Sequence, residues 1–259
     1  MSFHGFSSLA WRGGAPPALI ADGDSPPVSG AYSVSADGSR CVVWPTGNAD
    51  WWNKTFYSPL LCKRNGRHFS APVNARAEVT LHTAFTLEGR NQFDQAGIFI
   101  RADDSTWLKC GIEYFDGLPR VSVVVTNQAF SDWSTQPWSD FVVDDDASAP
   151  PTCTTSLRLR VHKLYPGDEQ GHAIVVEAAA YIDGDDAAAP GHFAMARVAS
   201  LRPTAGPDED EAAADFEMGI MSFAPIAAGC KASFHYFEIG ALQPLAHESD
   251  GAAIELMMG

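Results

Sequence analysis

The most constraining feature of this chain is the tetrapeptide Phe115-Asp116-Gly117-Leu118. It stands between two runs that alternate in polarity. Asp-Gly between alternating runs is the strongest short-range signal for a two-residue β-hairpin, because a type I′ turn needs positive φ at both central positions. Pairing Phe115 with Leu118 sets Glu113 opposite Arg120, Gly111 opposite Ser122, Lys109 opposite Val124 and Trp107 opposite Thr126. The other face then pairs Ile112 with Val121, Cys110 with Val123 and Leu108 with Val125, and is wholly apolar. A slip of one residue would mix the two sets, so the pattern supports its own register.

The preceding run fits the same frame. Ala96, Ile98 and Ile100 extend the apolar face, and Gln95, Gly97, Phe99 and Arg101 the other, with Gln95 beside Glu113 and Phe99 beside Lys109. The non-core face therefore gathers Gln95, Arg101, Trp107, Lys109, Glu113, Arg120, Ser122 and Thr126 around two glycines. A low floor with polar groups and an aromatic ring suits a polar ligand such as an oligosaccharide. An ordinary solvated sheet face with cross-strand pairs is the alternative reading.

Elsewhere helical periodicity is scarce. Short β-branched and aromatic runs at 40–44, 77–87, 157–164, 173–182, 193–201, 216–223 and 231–239 join those at 95–101, 107–115 and 118–126, each bounded by Gly, Pro, Asp or Asn. Ten strands at this spacing predict an all-β, two-sheet antiparallel sandwich. The Pro- and Gly-rich first 38 residues are expected to wrap over it. One domain over 1–242 is expected, with acidic insertions near 144–151, 183–190 and 203–215 and a tail at 243–259.

The formal charge of −15 argues against nucleic acid as a partner, since phosphate neutralisation needs a Lys/Arg surplus. Most of the excess lies after residue 143, in short runs such as Asp144-Asp145-Asp146 and Asp208-Glu209-Asp210-Glu211 that read as solvated loops. No apolar run is long enough for a membrane helix. The first residues lack the basic and apolar regions of a secretory leader. The five cysteines form no Cys-x-x-Cys pair and read as free thiols, so a cytoplasmic location is expected. The histidines show no metal spacing, and neither a Walker nor a Gly-x-Gly-x-x-Gly motif occurs, so no metal or other cofactor is expected.

Several segments carry a resemblance in order: Asp50-Trp51-Trp52, Asn65-Gly66-Arg67-His68-Phe69, Asp94-Gln95-Ala96-Gly97-Ile98 with Arg101, Trp107-Leu108-Lys109-Cys110-Gly111-Ile112-Glu113, Asp116-Gly117, Ser122 to Asn127, and Ser131-Asp132-Trp133-Ser134. Together they strongly resemble the DUF1349 family of concanavalin A-like (lectin/glucanase-type) jelly rolls, which includes a fungal "regulation of enolase" protein. The likeness is specific from Asp50 to Ser134 and extends more weakly to Leu9-Ala10-Trp11 and to Phe234-His235-Tyr236-Phe237-Glu238-Ile239. The resemblance implies a jelly roll whose concave sheet holds the motif residues. Arg120 stands where relatives often carry His, and Arg67 is an extra residue in its motif.

A glycosidase needs two carboxyl groups about 5–9.5 Å apart, one with a raised pKa. Glu113 has no second carboxylate on its strand face, and Arg120 opposite it is expected to favour its charged form. Asp94 and Asp132 could reach the groove only from loops. Trp107 on the open face and Trp133 in a rim loop are the expected stacking rings, with Asp132 orienting a hydroxyl. The expectation is therefore a non-catalytic module that binds a carbohydrate or other small polar ligand on a locally basic face. Docking on a metabolic enzyme, implied by the fungal relative, is the second expectation, and glycoside processing the third.

Overall fold

The computed structural model describes residues 2–21, 29–141, 154–168, 171–181, 192–203 and 215–246. The strands begin with β1 (Phe3–His4), β2 (Ala10–Arg12), β3 (Ala18–Leu19), β4 (Ala31–Val34), β5 (Cys41–Trp44), β6 (Trp51–Asn53), β7 (Cys62–Arg64), β8 (His68–Val73) and β9 (Val79–Glu88). They continue as β10 (Gln95–Asp103), β11 (Thr106–Phe115), β12 (Leu118–Asn127), β13 (Phe130–Pro137), β14 (Thr154–Gly167), β15 (Gly171–Ala180), β16 (Ala194–Leu201), β17 (Phe216–Phe223) and β18 (Lys231–Ala241).

One sheet runs β16-β15-β14-β9-β18-β5-β4-β3, with β1 also on β18, and the other runs β13-β12-β11-β10-β17-β8-β2. Pairing in both is antiparallel except for β3 with β4. The core between the sheets takes the apolar face derived above: Ile98 and Ile100 of β10, Leu108, Cys110 and Ile112 of β11, and Val121, Val123 and Val125 of β12. The first residues are more than a wrapping loop. β1 joins one sheet and β2 the other, so the opening segment ties the two layers together.

The β11–β12 register is as expected, with Asp116 at φ 53° and Gly117 at φ 77° in the turn. At the glycine pair Gly97–Gly111 the backbones lie so close that a Cβ on Gly97 would fall 2.0 Å from the Cys110 carbonyl oxygen. These glycines permit close approach rather than merely lowering a surface.

The Ser-Asp-Trp-Ser segment corrects an expectation: it is not a loop but part of β13, paired along β12 from Asn127↔Phe130 to Arg120↔Pro137. Its turn is built by Gln128 at φ 51° and Ala129 at φ 64°. The geometry is I′-like, but the residues carry no turn signal. β13 is also an edge strand of Ser, Asp, Thr and Gln, which hides the apolar alternation.

Beyond β18 the chain remains tied. The Gln243 N–H donates to Thr80 Oγ1 (2.8 Å) and the Ala246 N–H to Glu177 Oε1 (2.6 Å). The acidic runs at 144–146, 183–186 and 208–211, and the rest of the expected tail, lie outside the described residues.

Candidate functional site

The outer face of the smaller sheet is not open, as expected, but roofed. Strands β6 and β7 form a two-stranded hairpin across it. Trp51 and Trp52 of the hairpin pack with Phe99, Trp107, Val124, Met221 and Phe223 into a second apolar cluster. The hairpin is pinned where the Asn53 N–H donates to Ser131 Oγ, 2.9 Å away, and Ser131 Oγ also meets Thr126 Oγ1 at 2.8 Å. The Trp51 indole donates to the Gly66 carbonyl at 2.7 Å. Burying apolar surface on both faces is what lets β10–β12 carry Phe99, Trp107 and Val124 on the side away from the main core.

At one end of this roof lies a pocket of about 200 Å³. Asp50, Lys109 and Glu113 form its buried floor, and Trp52, Tyr57, Phe93 and Trp133 its aromatic walls. Leu61, Lys63, Val124, Pro225 and Ile226 complete it. Lys109 Nζ donates to Asp50 Oδ1 at 2.5 Å, and Gln95 Nε2 stands 3.3 Å from the same oxygen. The Asp50 backbone is fixed in turn, its N–H on Asn65 Oδ1 and its carbonyl receiving the Asn65 and Gly66 amides.

Glu113 Oε2 accepts from Ser122 Oγ (2.6 Å) and from the Trp133 indole (3.0 Å). Burial raises its carboxyl above the ordinary value, although Lys109, Ser122 and Trp133 pull the other way. Arg120, the expected charge partner, is the Cα neighbour of Glu113 but lies over the Phe115 ring, 5.9 Å from its centroid. The expected lowering of the Glu113 pKa is thereby corrected: desolvation outweighs every neighbouring charge. Burial, then Glu113 and Asp50, raise the Tyr57 phenol, which keeps its proton available for donation.

Asp50 Oδ2 and Glu113 Oε1 accept no hydrogen bond from any described residue, and neither is among the sealed, unpaired buried atoms. Each carboxyl group thus has one oxygen anchored and one facing the pocket. The floor offers two acceptors and an ammonium, and the aromatic walls add a phenol, an arrangement suited to hydroxyl groups on a carbon ring.

Of the residues named from sequence, Lys109, Glu113 and Trp133 line this pocket, while Gln95 and Ser122 hold its carboxylates. The other five lie elsewhere. Trp107 is fully buried beneath the roof, which corrects its open-face placement. Thr126 anchors the hairpin. Arg101 pairs with Glu217 and Asp104, so together with the Lys109–Asp50 pair it leaves the face less basic than expected. Asp132 is exposed and pairs with Arg197 at 3.1 Å. Asp94 turns away too, accepting the Arg90 and Asn91 amides, each at 2.8 Å.

Sequence reasoning missed Asp50 as the second carboxylate because β6 lies outside the main sheet. Its place beside two tryptophans in a family-like segment was the available signal. Among the described residues, no group of three His, Cys, Asp or Glu side chains could hold a metal ion, and no helix is long and apolar enough to cross a membrane.

Fold and site together define an all-β, two-sheet and mainly antiparallel sandwich with a polar-floored pocket on the outer face of its smaller sheet. Residues 30–242 match the family described as protein of unknown function, DUF1349, and the chain belongs to that family. "Regulation of enolase protein 1" of Saccharomyces cerevisiae is 38% identical over 109 residues, covering 40% of this chain and 50% of that protein. The chain thus matches about half the length of that curated relative. A crystal structure of a functionally unknown protein from S. cerevisiae aligns over 93% of this chain and all of its own, with TM-score 0.63 and 21% identity. A bifunctional GH43-CE protein of Bacteroides eggerthii aligns over 82% of this chain and 22% of its own, with TM-score 0.53 and 13% identity. At those identities the two structures support the fold alone.

Proposed function

We propose that this protein binds a small hydroxyl-rich ligand, a sugar unit, in the pocket under the β6–β7 hairpin. One observation carries the reading: Asp50, Lys109 and Glu113 converge beneath Trp52, Tyr57 and Trp133, with one oxygen of each carboxyl group turned to the cavity. Hydroxyl edges would meet the carboxylates and the phenol, and the C–H face of a ring would meet the indoles. Binding rather than hydrolysis is favoured because Asp50 Oδ1 is already occupied by the Lys109 ammonium and the Gln95 amide, which hold that carboxyl group in a structural pair.

Titration of the full chain with monosaccharides, read by calorimetry, tests the proposal. Micromolar to millimolar affinity that falls at least tenfold in both Lys109→Met and Glu113→Gln supports it. Unchanged affinity in both variants, each shown to be folded, refutes the site.

The S. cerevisiae relative's name favours a second reading, a regulatory contact with a metabolic enzyme. The free thiols Cys41, Cys62, Cys110 and Cys230 suit the reducing compartment such a partner would share. Co-elution of the purified protein with purified enolase on gel filtration tests that reading, and separate elution at micromolar concentrations counts against it.

A further inference from the structure

The pocket's volume of about 200 Å³ is below the ~300–1,000 Å³ of sites that enclose a drug-sized ligand. It therefore takes one ring-sized unit, and anything attached to that unit lies outside. Next in the chain to Tyr57 of the pocket wall stands Phe56, 85% exposed. Its ring is edge-on to Tyr57 at 5.2 Å, Tyr57 is edge-on to Trp52 at 5.5 Å, and Trp52 is edge-on to Trp133 at 6.3 Å. Four rings thus run without a break from the pocket wall to solvent.

The support beneath Phe56 is fixed. The Lys54 N–H donates to the Leu61 carbonyl at 2.9 Å, the Tyr57 N–H to the Thr55 carbonyl at 2.9 Å, and the Lys54 ammonium sits 4.8 Å from the Phe130 ring centroid. Both Lys54 (φ 61°) and Phe56 (φ 74°) occupy the left-handed region, which is unfavourable for side chains of this size. The fold thus holds a bulky apolar ring in water from a disfavoured backbone conformation. That combination marks a surface meant to be covered.

Chemistry selects the occupant. The pocket matches Lys63 and Lys109 against Asp50 and Glu113, so its charge is balanced and a polyanion gains nothing there. Exposed rings next to a polar, ring-sized pocket suit a molecule that repeats hydroxyl edges and apolar C–H faces. We infer that the Phe56–Tyr57 ledge is a second subsite, and that the ligand is a neutral oligosaccharide of two or more units with one unit in the pocket. The inference rests on the carbohydrate reading of the pocket.

Calorimetry of the full chain with glucose, xylose and mannose, and with the β-1,4-linked dimer to tetramer of each, provides the test. In the series that binds, the trimer should bind about tenfold more tightly than the monosaccharide. Phe56→Ala should remove that gain and leave monosaccharide affinity within twofold. Phe56 is exposed enough that folding should survive, which a thermal melt checks. Glu113→Gln should weaken every length alike. Affinity independent of chain length, or a length effect untouched by Phe56→Ala, overturns the ledge while sparing the pocket. No binding by any member of the three series overturns both. A Phe56→Ala variant that loses affinity for purified enolase but for no sugar assigns the ledge to a protein instead.

Discussion

Replacing Lys109 by Met keeps most of the side-chain volume and deletes the charge that faces Asp50. The pair is 2.5 Å apart, with the lysine side chain 3% and the aspartate side chain 12% exposed. Removing one partner of a buried ion pair costs ~3–5 kcal/mol, because the other charge stays desolvated and unpaired. Asp50 keeps the Gln95 amide at 3.3 Å and some contact with water, so the lower end, about 3 kcal/mol, is expected. For a chain of this size that lowers Tm by roughly 6–12 °C. The Lys109→Met/Asp50→Asn double variant should regain most of the loss, since neutralising both partners leaves no orphaned charge, giving a coupling of ~2 kcal/mol. Urea unfolding of the four proteins at pH 7, followed by circular dichroism, measures the cycle. A single-variant loss below ~1 kcal/mol, or additive effects of the two substitutions, would refute the argument that the floor of the pocket is an electrostatically coupled pair.

Glu113 supplies a pH test. Burial raises its folded carboxyl above the ordinary 4.5. Above that ordinary value and below the raised folded one, the folded state holds a proton that the unfolded state has released, so stability falls as pH rises through this interval. Glu113→Gln should therefore gain on wild type between pH 4 and pH 8 in thermal melts, and a gain of the opposite sign contradicts the assignment. At the glycine pair, Gly97→Ala should cost about 2–5 kcal/mol through backbone overlap, whereas Gly117→Ala, whose added Cβ would meet nothing within 4 Å, should cost only about 1 kcal/mol for its positive φ. Equal denaturation midpoints for these two would be inconsistent with the close approach described. Glu177→Gln should free the segment after β18. Burial raises that carboxyl, but His162, the Ala246 N–H and Arg160 together bring it below its ordinary value, and faster amide exchange at Ala246 is the expected readout.

Where local chemistry dictated geometry, the fold was legible. Asp116-Gly117 can hardly be anything but a tight turn, and the one apolar register of β10, β11 and β12 follows from period two. β13 was not legible because Gln128 and Ala129 turn the chain without the usual residues, and neither was β8, where Pro72 and small polar residues interrupt the pattern. The candidate site was legible only from one side. Lys109, Glu113 and Ser122 followed from the register, whereas the partners that bury them arrive on a hairpin some 45–60 residues upstream. Alternation tells which side chains share a face. It does not tell whether a distant segment will cover that face, so a roofed floor was read as an open one.

The β6–β7 hairpin touches the smaller sheet through a handful of rings, the Asn53–Ser131 bond, the Arg64–Asp104 pair and the Lys54–Phe130 contact, and belongs to neither main sheet. It supplies Asp50's neighbourhood, Trp52 and Tyr57, so the cavity exists only while the hairpin is seated. Occupancy and seating are therefore one thermodynamic event. Any molecule taken up there withdraws the undocked population, and amide exchange through residues 51–64 should slow by the factor 1 + [L]/Kd. The roof thus serves as an occupancy gauge, readable by isotope exchange before the identity of the occupant is known.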